Sequence, residues 1–227
     1  MVKLAATSGK IIMNRSLLFA LMAAVALYNS GCASMYYDTM EKFGVHKRDI
    51  MVDRVEEARD SQKEAKKEFA NALEQFKSVV SIKGGDLEAK YNKLNAALLK
   101  SEAQATEVRD RIASVESVSQ ALFKEWKAEL NQYNNADLRR SSEAQLKEAQ
   151  TRYRDLMAAM KKAESRLEPV LQPLRDQVLF LKHNLNAKAI GSLTDEVASI
   201  GTKVDDLVRD MEASIREADA FIATLNP

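Results

Sequence analysis

The chain has 227 residues, with 34 Lys and Arg against 33 Asp and Glu and a net charge of +1, so it lacks the basic excess of a dedicated nucleic-acid binder. Seven Gly and three Pro leave few places for turns, and abundant Ala, Leu, Glu, Lys and Arg point to an all-α protein of few, long helices. The single Cys excludes an intramolecular disulfide and any multi-cysteine zinc site.

Residues 1–31 read as an export signal. Arg15 precedes the unbroken apolar run Leu17 to Tyr28, which is followed by Asn29-Ser30-Gly31-Cys32; charge, apolar stretch and small residues come in signal-peptide order. Twelve apolar residues fall short of the about 20 that a spanning helix needs. Met13-Asn14-Arg15 forms a compact basic head, which makes Met13 an alternative start. Ser30-Gly31-Cys32 resembles the lipobox of bacterial lipoproteins, with Asn29 where an aliphatic residue is usual and Leu27 nearby. Cys32 is therefore expected to carry the lipid, and several acyl chains hold a protein stably on a membrane. Cleavage before Cys32 removes Lys3, Lys10 and Arg15 and no acid, taking the net charge from +1 to −2. By the sorting pattern of Gram-negative lipoproteins, Ala33 implies the outer membrane.

Residues 32–46 form the lipidated cysteine and a tether containing Tyr36, Tyr37, Phe43 and Gly44. From residue 47 to 227 the pattern is helical. Met51, Val55, Ala58, Gln62, Ala65, Phe69, Ala72, Phe76 and Val79 alternate steps of four and three, the spacing that keeps one stripe on a partner helix. Lys83-Gly84-Gly85-Asp86 ends this stripe, with glycines for the reversal and Asp86 to cap the next helix. A second seam runs from Leu87 through Leu122 and Trp126 to Tyr133, and Asn134-Asn135-Ala136-Asp137 is the next turn signal. A third seam, from Leu146 to Leu185, contains Pro169 and Pro173, which predict a kink between Glu168 and Gln172. Ser192-Leu193-Thr194-Asp195 has capping-box spacing and opens a fourth seam from Leu193 to Leu225.

Short connections make neighbouring helices antiparallel, so the expected fold is an elongated antiparallel coiled coil, an up-down-up-down four-helix bundle. Outer helices of about 35 residues cannot cover central arms of roughly 50, and the hairpin end near Asn134 is expected to project. Its candidate contact surface is Phe123, Leu130, Asn134 and Asn135, with Phe123 one position off the seam and Trp126 packed across the hairpin. The same heptads can pair between chains, so a homodimer competes with a monomer.

No catalytic constellation emerges. Gly84-Gly85-Asp86 lacks the spacing and Lys-Ser/Thr ending of a phosphate loop. Phe43 and Phe180 stand where a di-iron bundle would need Glu three residues before His46 and His183. No catalytic, cofactor or metal residue is therefore expected. His46-Lys47-Arg48-Asp49 reads as a solvated helix start, and Lys182-His183-Asn184-Leu185-Asn186 as a cluster whose amides bond across the bundle.

His46-Lys47-Arg48-Asp49, Ala121-Leu122-Phe123-Lys124-Glu125-Trp126 and the run from Arg175 through Phe180-Leu181-Lys182-His183-Asn184-Leu185-Asn186 to Ala187 resemble motifs of a proteobacterial lipoprotein family catalogued as a domain of unknown function. The resemblance spans the mature chain; it implies a secreted, lipid-modified helical protein and brings no catalytic residue. The expected function is a non-enzymatic, lipid-anchored scaffold or adaptor of the cell envelope, with partners in the membrane, through the lipid, and in an envelope protein, and none in nucleic acid. The alternatives are a membrane-remodelling or membrane-inserting helical hairpin, and a ligand carrier using a gap near Pro169 and Pro173.

Overall fold

The computed structural model describes residues 36–37, 39–40, 44–81, 86–184 and 187–225, without the side chains of residues 81 and 187–195. The apolar run Leu17 to Tyr28, Cys32, Gly84-Gly85, and Leu185 and Asn186 lie outside the described residues. The chain divides into two units, residues 1–45 and 46–227. In the first, the Tyr36 and Tyr37 rings meet edge to face at 5.3 Å. Gly44 takes φ +83, a left-handed geometry that favours glycine, and beside it the Val45 N–H donates to the Met40 carbonyl at 3.1 Å.

The second unit contains α1 (Lys47–Ser81), α2 (Leu87–Glu129), a 3-10 turn (Leu130–Gln132), α3 (Ala136–Ser165), α4 (Leu167–His183) and α5 (Ala187–Leu225). Its described residues contain no strand. Cross-helix pairs set an antiparallel register: Lys47–Glu125 and Lys93–Ser78 join α1 to α2, Arg59–Asp219 and Lys66–Glu212 join α1 to α5, and Arg109–Glu168 joins α2 to α4. α3 and α4 together form the third arm, and α5 packs against α1, α3 and α4. The result is the up-down-up-down all-α bundle that the composition and seams predict.

Every first-seam residue from Met51 to Val79 is buried. Ala58, Ala65 and Ala72, one per heptad, let neighbouring backbones approach closely. Phe69 and Phe76 fill the same stripe with no exposed surface; a fully buried side chain of this kind contributes about 1.5–3 kcal/mol. Asp86 caps α2 as expected, accepting from the N–H groups of Glu88 at 2.9 Å and Ala89 at 3.2 Å.

Four expectations need correction. The kink falls at Arg166, upstream of Glu168: Pro169 crowds the carbonyl four residues before it, on Ser165, and α3 ends at Ser165. Pro173 is accommodated inside α4. The fourth helix opens at Ala187 and runs through Ser192 to Asp195; α4 ends at His183, and Asn184, with φ −130, ψ 55, is not helical. The second seam loses its packing near the hairpin end, where Glu129 and Tyr133 are exposed. Lys47, read as part of a solvated helix start, is only 4% exposed and pairs with Glu125 at 3.1 Å.

Candidate functional site

The hairpin end is built from the last turns of α2 and the first half of α3. Beyond Glu125, which is level with the start of α1, residues 131–141 are all exposed. Asn135 starts α3 by accepting from the N–H groups of Asp137 at 2.8 Å and Leu138 at 3.1 Å; its role is a helix cap. Asn134 is exposed, whereas Leu130 is buried and presents no contact area. Trp126 is half-buried, and its Nε1–H donates to Ser142 Oγ at 2.8 Å.

Phe123 stands beside Tyr153 of α3, ring centroids 5.4 Å apart and edge to face. It is partly covered, so the projecting apolar knob expected from its off-seam position is instead one wall of a groove of about 460 Å³, lined also by Lys147, Gln150, Tyr153 and Arg154. Burial pushes the Tyr153 hydroxyl above its ordinary pKa; its hydrogen bond with Ser119 opposes that, and the Glu116 charge adds to it. The groove therefore carries two aromatic rings and two cations. Sequence reading missed Lys147 and Arg154, although Arg140, Lys147, Arg154 and Lys161 recur at seven-residue spacing, one face of a helix.

A second polar feature lies inside the bundle near the α3–α4 break. Asp210 of α5, only 3% exposed, receives Lys162 and Arg166, each at 2.9 Å. Burial works against its charge, but hydrogen bonds and positive charge from these two cations hold its carboxyl below the ordinary range. One turn along the same helix Ser214 is fully buried, and α1 contributes fully buried Gln62. Neither the Ser214 hydroxyl nor either amide atom of Gln62 has a hydrogen-bond partner in the protein. Among the described residues, no group of three or more His, Cys, Asp or Glu stands together as a metal site, and no helix is long and apolar enough to cross a membrane.

The family model described as Protein of unknown function (DUF2959) matches residues 36–225, from the tether's tyrosines to the end of α5. The chain belongs to this family. The match places all four arms within one DUF2959 unit, with the groove and the buried polar layer inside it. No curated protein matches the chain.

Proposed function

We propose that this DUF2959 protein is a lipid-anchored scaffold or adaptor of the bacterial cell envelope, acting through helical protein contacts and without catalysis. The observation that carries this reading is the distribution of apolar side chains: the seams are filled from within the chain, yet Leu99, Tyr133, Leu138, Leu179 and Phe180 remain exposed on the bundle. Leu179 and Phe180 stand side by side, and exposed apolar area of this kind favours contact with another macromolecule. The anchor is supported by the apolar run Leu17 to Tyr28 and by Ser30-Gly31-Cys32.

Cys32→Ser is expected to abolish incorporation of labelled fatty acid and release the protein from the membrane fraction; unchanged labelling removes the anchor. Cross-linking in intact cells is expected to return a specific envelope protein that Leu179→Asp/Phe180→Asp loses. Recovery of the same abundant proteins with both forms removes the adaptor. A second reading, membrane contact by the hairpin end, is favoured by the exposure of Tyr133 and Leu138. Liposome flotation that depends on these two residues would select it.

A further inference from the structure

One flank of the bundle, where α2 meets α3 and α4, carries an interrupted charge ladder. At seven-residue intervals α2 carries Glu102, Arg109, Glu116 and Phe123, with Leu130 following in the 3-10 turn, and the opposite arm carries Arg175, Glu168, Lys161, Arg154 and Lys147. The first three steps are ion pairs: Glu102–Arg175 at 2.6 Å, Arg109–Glu168 at 3.2 Å and Glu116–Lys161 at 3.8 Å. Beyond them the pattern supplies Phe123 and the buried Leu130 instead of acids. Among the described residues neither Arg154 nor Lys147 belongs to an ion pair; the Arg154 guanidinium donates to Thr151 Oγ1 at 3.0 Å.

These two cations rim the groove over Phe123 and Tyr153. Seven residues of helix separate them by about 10.5 Å along the axis. We propose that the groove docks an acidic amphipathic helix of a protein partner, with two carboxylates one heptad apart supplying the acids that α2 lacks and apolar residues between them covering the rings. The layout favours a rod over a bilayer. The cations run along the helix axis, and exposed Leu138, nine residues before Lys147, points half a turn away at about 100° per residue; the charge and the exposed apolar tip do not share one plane.

The inference rests on the adaptor reading for the class of its partner, but it is tested on the purified full chain in neutral detergent, whatever the outcome at Cys32. The probe is a labelled helical peptide with Glu at two positions seven apart and Leu between, compared with a scrambled peptide of equal charge and with dihexanoyl-phosphatidylglycerol below its micelle concentration. Anisotropy is expected to show salt-sensitive binding of the patterned peptide only. Lys147→Glu/Arg154→Glu is expected to weaken it at least about tenfold, Lys147→Gln/Arg154→Gln to weaken it less, and Lys147→Arg/Arg154→Lys to keep it, all with unchanged circular dichroism. Equal binding of the scrambled peptide, or indifference to charge reversal, overturns the proposal. So does charge-dependent binding of the short-chain lipid alone, which would assign the groove to a lipid headgroup. Peptide binding with labelling unaffected by Cys32→Ser would end the anchor and leave the groove standing.

Discussion

Gln62 shows how a single side chain can stand against its surroundings. It occupies a seam position between Ala58 and Ala65, is fully buried, and has neither amide atom paired within the protein. An unsatisfied buried polar group costs about 1–3 kcal/mol, and a leucine of similar volume removes that cost. Gln62→Leu is therefore expected to raise the melting temperature; a fall would show that the amide is satisfied by bound water. A polar residue at one core position can also fix register, so a stabilised variant is expected to lose some uniqueness, read as broader amide resonances. Phe123 and Lys47 make a related point. Each stands near a surface in the periodic pattern, yet one is covered by Tyr153 and the other by the reach of Glu125, because the neighbouring arm arrives at that level.

At the scale of the element, the third arm and α5 are coupled through Asp210. The Asp210 carboxyl has a pKa below its ordinary value in the folded protein. Its contribution is thus complete above the unfolded value of about 3.9 and is lost as pH falls through the lower folded value. Urea melts are expected to show wild type more stable than Asp210→Asn by a constant margin from about pH 7 to about pH 5. The margin should close below about pH 4, and one that widens in acid contradicts the assignment. Gly201 lies inside α5, where a Cβ would approach Leu73 methyl carbons at 4.0 Å, ordinary contact. Gly201→Ala is expected to stabilise the protein by about 0.8–1 kcal/mol through helix propensity, measured by chemical denaturation; destabilisation would mean that α1 and α5 pack more tightly there than 4.0 Å implies.

For the whole molecule, the decisive fact is that one chain supplies all four arms. Heptads that could pair between chains are already filled within one unit: Met51 to Val79 on α1 face α2 and α5, and Ile200 to Phe221 on α5 are buried in return. Exchange between copies would have to open about 65 Å of seam along α2, whose 43 residues rise 1.5 Å each. Sedimentation equilibrium in neutral detergent is therefore expected to give a single-chain protein mass at micromolar concentration. A concentration-dependent dimer would show that the heptads are shared between chains.

The all-α class, the seams, the break between Ser81 and Leu87 and the turn at Asn134-Asn135 were legible in the residue pattern. Heptad spacing is a local property: a residue on a long helix cannot leave the stripe that its neighbours define. Asp86 was legible as a cap for the same reason, since it bonds N–H groups two and three residues away; Asn135, read as contact surface, makes the same bonds to Asp137 and Leu138. The break at Arg166 and the start of α5 at Ala187 were not legible, because proline acts on a carbonyl a full turn upstream and because Ser, Thr and Asp are tolerated inside a helix that tertiary packing supports. The groove was legible only in half. The cations recur visibly every seven residues, but that Arg154 and Lys147 line a groove with Phe123 instead of meeting acids depends on the register between two arms of the bundle. Register is decided by which side chains fit across a seam, and only the tertiary structure brings those residues level.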